Sequence, residues 1–307
     1  MVAKICIIPT LYILLHMADF PVLSIHQFDT TGIEHELYVN YFSDHLQRHH
    51  TRITHPHKHN FYLVVLITKG SGFHEIDFER YEVKPGSVFF MQPGQTHYWE
   101  FSPDVEGVIF FHSMAYYQWQ FPNSQLSDFP FYFSRRNKPF LHLNDSEVIE
   151  ISRQFTGILT EFYSDLSYRY PKIGSLLHCL YIDLSRRYAV EEPQKVIHSQ
   201  PYAERFKAFE EMLNRDFKTE KSAMYYASQL HITTKHLNRI CKEITGKTST
   251  EVIAERVLLE AKRLLSGGSK NLNEIARELG YEEYAYFSRL FKQYCGESPR
   301  VFLRRYH

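Results

Sequence analysis

The 307-residue chain has few cysteines, and Cys6, Cys179, Cys241 and Cys295 form no Cys-x-x-Cys pair. Most of them stand in helical apolar patterns, so buried reduced thiols of a cytosolic protein are expected rather than disulfides. Also missing are a phosphate-cradling loop, a Ser/His/Asp grouping and a carboxylate pair at a usable spacing. No catalytic residue is therefore nominated, and no cofactor is expected. No apolar run reaches the roughly 20 residues that a membrane-spanning helix needs. Residues 1–16 (MVAKICIIPTLYILLH) resemble a weak signal peptide, but Pro9 and His16 interrupt the run and no small-residue cleavage site follows. MADFPV from Met17 reads as an ordinary start, so Met17 is expected to be the initiator and 1–16 to lie outside the fold. Net charge is absent too, with 35 Lys and Arg against 35 Asp and Glu. Averaged over the chain, that balance argues against a nucleic-acid partner.

Dividing the chain reverses that inference. Residues 199–307 hold 19 Lys and Arg against 14 Asp and Glu, whereas residues 1–198 hold 16 against 21. A basic half suits phosphate contact. Its most informative stretch is NLNEIARELGYEEYAYFSRLFK, residues 271–292. Asn271 is a good N-cap, Leu272, Ile275, Ala276 and Leu279 share one helical face, and Gly280 permits the turn into a second helix. On that helix Phe287, Leu290, Phe291 and Tyr294 are spaced to pack inward. Gly296 ends it, and Ser298-Pro299 opens a further short helix.

A repeat strengthens the signal. LNRICKEITG (237–246) aligns with FSRLFKQYCG (287–296), with Arg239/Arg289, Lys242/Lys292 and Gly246/Gly296 identical. Upstream, ASQLHI (227–232) matches ARELGY (276–281), one residue out of phase. Two helix-turn-helix units are thus expected, at about 222–246 and 271–296. With these motifs, residues 202–307 resemble the DNA-binding domain of the AraC/XylS family of bacterial transcription regulators. The resemblance implies double-stranded promoter DNA as partner, with RNA polymerase a further one for an activator. Thr233 caps the first recognition helix, Leu237, Ile240, Cys241 and Ile244 point inward, and TSTE (248–251) is a capping box opening the connecting helix, which Gly267-Gly268 ends. Mapping the family's base-contacting positions selects Lys235, Asn238 and Arg239 in the first unit, and Tyr284, Ala285, Tyr286 and Arg289 in the second. Arg can take guanine and Asn adenine bidentately, while Tyr and Ala meet thymine methyls. Lys242 and Lys292 are assigned to phosphates. A solvated helix face is the plain alternative at each position.

From Val22 to Ser113 the pattern has strand period, with runs at 37–42, 62–68, 73–78, 87–91 and 108–111 between the turns KGSG (69–72), KPG (84–86) and QPG (92–94). HPHKH (55–59) and GSVFFMQPGQTH (86–97) resemble the two motifs of the cupin jelly roll, the usual sensor domain of the same family. In metal-binding cupins these motifs supply three histidines and a glutamate. His57, His59 and His97 fit, but the glutamate position falls on Leu63 or Val64, so no metal is expected. His57, His59, Tyr62, His97 and Trp99 become candidates for contact with a small-molecule effector, with structural histidines as the alternative. The aromatic segment 114–140 is either a lid over that ligand or packing between barrel and helices.

Two helical stripes follow: Val148, Ile151, Phe155, Ile158, Leu159 and Phe162, capped by Asp145, and then Ile173, Leu176, Leu177, Leu180 and Leu184. In the family such a pair after the barrel forms a homodimer interface, which points to the helix at 173–188. The alternative is that both stripes cover the barrel. EEPQKVIHSQP (191–201) reads as a linker. The expected chain is multidomain: residues 17–140 an all-β cupin barrel, 141–190 a helical dimerisation segment, 191–201 a linker and 202–307 an all-α reading domain. Its expected function is ligand-responsive, sequence-specific transcription regulation in the cytoplasm, with no membrane partner. The rivals are a metal-dependent cupin enzyme carrying a DNA-binding tail and a regulator without an effector.

Overall fold

The run Tyr62–Lys69 is the centre of the N-terminal unit, because both of its faces are buried. Leu63, Val65 and Ile67 enter one apolar cluster and Val64 and Leu66 another, as the two-residue period of a strand requires. The computed structural model describes residues 20–28, 36–53, 55–191, 200–268 and 270–306. The expectations for residues 1–16 and for most of the linker at 191–201 fall outside these residues. Pro21–Lys207 forms one compact unit, and Ala208–His307 the body of a second.

The first unit begins β1 (Val22–Leu23), β2 (Leu37–Tyr41), α1 (Phe42–Ile53), β3 (Lys58–His59), β4 (Tyr62–Lys69) and β5 (Gly72–Ile76). It continues β6 (Glu79–Val83), β7 (Ser87–Met91), β8 (His97–Phe101), β9 (Glu106–His112), α2 (Met114–Gln120), α3 (Pro130–Phe133) and β10 (Phe140–His142). Two helices close it, α4 (Asp145–Phe162) and α5 (Arg169–Glu191). An antiparallel sheet of order β10-β7-β4-β9-β2 faces the smaller sheet β6-β5-β8, and β1 pairs with β3 in parallel. Between the sheets lie Leu63, Val65, Phe89, Met91, Ile109, Phe111, Ile76, Val83 and Trp99. The outer face of the larger sheet packs on α2, α3, α4 and α5 through Val64, Leu66, Val88, Phe90 and Phe110.

Several expectations change. The strand expected over 73–78 stops at Ile76, because Asp77 and Phe78 both take positive φ (48° and 71°) and make a two-residue hairpin without glycine. Phe42 opens helix α1 rather than ending a strand, and β1, β3, β6, β8 and β10 were not foreseen. Asn144, not Asp145, caps α4, accepting from the Glu147 N–H at 3.1 Å. In the aromatic segment Tyr116, Tyr117, Phe129, Phe131 and Tyr132 are buried against the sheet and α5, whereas Trp119 is 67% exposed. That burial is packing, not a lid. The stripe of α5 turns inward in the same way: Ile173, Leu177, Leu180, Tyr181, Leu184 and Tyr188 are each at most 1% exposed. It is covered by its own chain, so it is not a free dimer face. Cys179 is exposed, contrary to the expected burial, while Cys241 is buried and Cys295 half-buried.

Helix α6 (Gln200–Asp216) spans the division at Lys207, and the second unit continues with α7 (Ala223–Gln229), α8 (Thr234–Thr245), α9 (Ser249–Gly267), α10 (Leu272–Glu278), α11 (Tyr284–Cys295) and α12 (Pro299–Tyr306). Helix α6 already begins inside the stretch read as linker. Among the described residues no helix is long and apolar enough to cross a membrane.

Candidate nucleic-acid interface and sensor interior

Each recognition helix has one buried face and ends at a left-handed glycine, but only α8 has a side-chain cap at its N-terminus. For α8 the Thr233 side chain accepts from the His236 N–H at 3.1 Å, and Gly246 closes the C-terminus with φ 72°. Leu237, Ile240 and Cys241 are fully buried beneath it. For α11 Gly296 plays the closing part with φ 79°, and Phe287 and Phe291 are fully buried. Tyr294, expected inward, is 37% exposed instead, because it lies in the last turn of α11. Asn271 caps α10 by accepting from the Asn273 and Glu274 N–H groups, and Thr248 with Glu251 forms the capping box of α9.

The outward faces differ between the two units. Lys235, Arg239 and Lys242 are exposed on α8, and Ala285, Tyr286, Arg289 and Lys292 on α11. Tyr284 is half-buried, its ring 6.3 Å from Phe287. Asn238 is also half-buried, and its Oδ1 accepts from the Ser249 N–H at 2.9 Å and the Ser249 hydroxyl at 2.8 Å. Between the two units runs α9, whose Val252, Ile253, Val257, Leu258, Ala261, Leu264 and Leu265 are all buried. Its Arg256 stacks over Phe217 at 3.8 Å, bonds Asn214 at 2.8 Å and pairs with Glu260 at 3.1 Å. A second brace joins the units: Lys218 and Lys270 both pair with Glu278, at 2.7 and 2.6 Å.

In the sensor unit the structure brings four of the five candidates together. The backbones of His57 and His97 pair, and their rings lie 4.2 Å apart. His59 stands 5.1 Å and Trp99 4.9 Å from the His97 ring. Tyr62 is separated from them. It packs on the opposite face of the larger sheet, stacked on His112 at 5.9 Å. Two members were missed in the sequence. His74 bonds His97 (Nε2 to Nδ1, 2.9 Å), because β5 pairs with β8 and sets His74 opposite Trp99. His45, on α1, bonds the Tyr38 hydroxyl at 3.1 Å and lies 6.4 Å from Trp99. Neither His45, in the polar stretch SDHLQRHH (43–50), nor His74, between Phe73 and Glu75, belongs to a motif that would have singled it out.

Burial sets the protonation of the cluster. It lowers the pKa of His57 to about 4 and of His45 and His59 to about 3, neighbouring imidazoles adding to the effect at the last two. His74 and His97 are held well below 6.5 for the same reasons. All five rings are therefore neutral near pH 7. His57 and His59 donate Nδ1–H to the carbonyls of His55 and Phe61, both at 2.9 Å, which leaves Nε2 of each as a lone pair. The buried Nε2 of His59 and of His97 and Nδ1 of His74 have no hydrogen-bond partner among the described residues. A resident metal does not fit this arrangement. Among the described residues no three His, Cys, Asp or Glu side chains are placed to hold one ion, and buried Leu63 and Val64 supply no carboxylate.

Comparison with known proteins agrees with this division of labour. Residues 40–167 match the AraC-like ligand binding domain, and residues 226–305 match a helix-turn-helix domain. The HTH-type transcriptional activator RhaR of Yersinia pseudotuberculosis serotype O:3 (strain YPIII) is 22% identical over 253 residues, covering 81% of this chain and 84% of RhaR. The HTH-type transcriptional activator RhaS of Escherichia coli O81 (strain ED1a) is 24% identical, covering 80% and 85%. The crystal structure of ToxT from Vibrio cholerae aligns over 87% of this chain and 98% of its own at 13% identity, with a TM-score of 0.42. A ligand-binding β domain preceding two capped helix-turn-helix units places the chain in the AraC/XylS family of ligand-responsive, DNA-binding transcription regulators.

Proposed function

We propose that α8 and α11 read successive major grooves on one face of promoter DNA, about 10 bp apart, with Arg239 and Arg289 as the principal base readers. The observation that carries this reading is their equivalence. Both are exposed at the same position of two glycine-terminated helices whose opposite faces are fully buried. Lys235 adds to the first unit, Ala285, Tyr286 and the half-buried Tyr284 offer apolar contact in the second, and Lys242 and Lys292 hold phosphates. The names of RhaR and RhaS favour activation, and so a contact with RNA polymerase. The protein acts in the cytoplasm as a homodimer. A dimer built on α5 must use the outer side of that helix, because its apolar stripe is covered within the chain.

The effector enters the sheet interior at His57, His59, His74, His97 and Trp99. Lone pairs at His57 Nε2 and His59 Nε2 call for a ligand that presents hydrogen-bond donors. Unequal affinity of that ligand for two arrangements of the protein then changes DNA binding. Catalysis by a metal-dependent cupin lacks its carboxylate ligand, and elemental analysis showing close to one metal per chain would restore that reading. The reader assignment is tested by binding Arg239→Ala and Arg289→Ala to a randomised site library. Each variant is expected to lose preference at its own base pair, at a cost of roughly 1–3 kcal/mol. Loss at the same base pairs in both, or at none, would sink the two-reader arrangement.

A further inference from the structure

We propose that Asn238 is a positioning residue that seats the first recognition helix against α9 and does not select adenine. The proposal rests on the reading of α8 as a DNA-reading helix. Ser249 is fully buried at the first position of α9, directly after the cap Thr248. Its N–H is one of the four at a helix start that have no acceptor within the helix. Asn238 supplies that acceptor from another helix. Its Oδ1 takes the Ser249 N–H at 2.9 Å and the Ser249 hydroxyl at 2.8 Å. A backbone N–H can only donate, so the atom facing it is the amide oxygen and not the nitrogen.

That commitment limits what Asn238 can read. Bidentate recognition of adenine needs the amide oxygen to accept from N6 while the amide nitrogen donates to N7. With both lone pairs of Oδ1 engaged by Ser249, only the Nδ2 donors remain. The N7 acceptor of adenine is also present on guanine, which adds O6 as a second acceptor, so those donors cannot select adenine.

The second unit shows the complementary arrangement. In the register of the repeat Ser288 stands at the place of Asn238, and Pro299 at the place of Ser249. Proline has no N–H, and its fixed φ suits the first position of a helix. Pro299 is buried, as Ser249 is, yet it leaves no donor to satisfy. The shorter Ser288 therefore suffices. The acceptor is present where the N–H exists and absent where it does not.

The test uses the full chain carrying Asn238→Ser, Ser249→Pro or both, which transplants the second joint into the first unit. Each protein is bound to libraries randomised in either half-site, and its Tm is measured. Asn238→Ser alone is expected to weaken the first half-site roughly 10-fold through the stranded N–H, with its base preferences and the second half-site unchanged. Adding Ser249→Pro is expected to restore binding to within about twofold. An adenine preference lost in Asn238→Ser and not regained in the double variant overturns the proposal, because Asn238 then reads the base directly. Equal weakening of both half-sites in step with Tm also overturns it, because the bond then only stabilises the unit. If Arg239→Ala keeps every base preference, α8 is not a reader, and the proposal falls together with that assignment.

Discussion

His231 and Gly280 occupy the same turn of the two helix-turn-helix units, and both adopt the left-handed backbone, with φ 54° and 76°. The following N–H returns to an equivalent carbonyl in each, Ile232 to Ala227 at 3.0 Å and Tyr281 to Ala276 at 2.9 Å. Their surroundings are not equivalent. A Cβ on Gly280 would lie 2.0 Å from the Lys218 carbonyl oxygen, whereas His231 is exposed. Gly280→Ala is therefore expected to destabilise the reading unit by about 3 kcal/mol or more, adding a backbone clash to left-handed strain. His231→Gly should stay within about 1 kcal/mol, since relieved strain and added chain entropy oppose each other. Urea unfolding of both variants checks the contrast, and a small loss for Gly280→Ala would mean that the Lys218 segment yields.

The buried imidazoles make the sensor unit acid-labile. His45, His57 and His59 have pKa values lowered from 6.5 to between about 3 and about 4, so the unfolded chain binds more protons in that window. Their stabilising contribution is complete above pH 6.5 and is lost as pH falls towards 4, with a slope of up to about 1.4 kcal/mol per pH unit for each group. Because His57 acts electrostatically on both His45 and His59, their protons are taken up as a set. Urea midpoints measured from pH 8 to pH 4.5 should fall steeply below about 6.5. A flat profile, or one that rises towards acid, would contradict the neutral cluster.

Separation of Tyr62 from the histidines has its own consequence. Tyr62→Phe is expected to leave effector-dependent changes in Tm unaltered, because that ring packs on the helix side of the sheet. His97→Ala, in the centre of the cluster, should remove them. Thermal-shift screening against sugars, aromatic acids and other metabolites supplies the ligand, and the two variants then locate its site. An effector response lost in Tyr62→Phe but kept in His97→Ala would move the site to the other face.

Lys242 and Lys292 occupy equivalent exposed places on α8 and α11. Replacing either with Ala should weaken all DNA sequences alike and flatten the dependence of log affinity on log salt by about one. Titrations at several salt concentrations with specific and random duplexes check this. A changed base preference in either variant would assign that lysine to a base.

The helix-turn-helix repeat was legible because its signals are local. The caps Thr233 and Asn271, the left-handed Gly246, Gly280 and Gly296, and the inward Leu237, Ile240, Phe287 and Phe291 act within a turn or two of the chain. The strand runs at 62–68 and 87–91 were legible for a similar reason, since a two-residue apolar period is written into consecutive positions. What the tertiary structure decided lies across elements. Period two shows that Tyr62 and Leu63 face opposite ways, but only the stacking of sheet and helices says which way holds the histidines. His74 joins His97 through the pairing of β5 with β8, and His45 arrives on a helix that carried no motif. The bond from the Ser249 N–H to the Asn238 oxygen likewise joins residues eleven apart on two different helices. The stripe of α5 is the clearest case. An apolar helix face gains about the same free energy against its own sheet as against a second copy of the chain, since burial of apolar surface is non-directional. The sequence therefore determined that this face is buried, and only the packing of the whole unit decided what buries it.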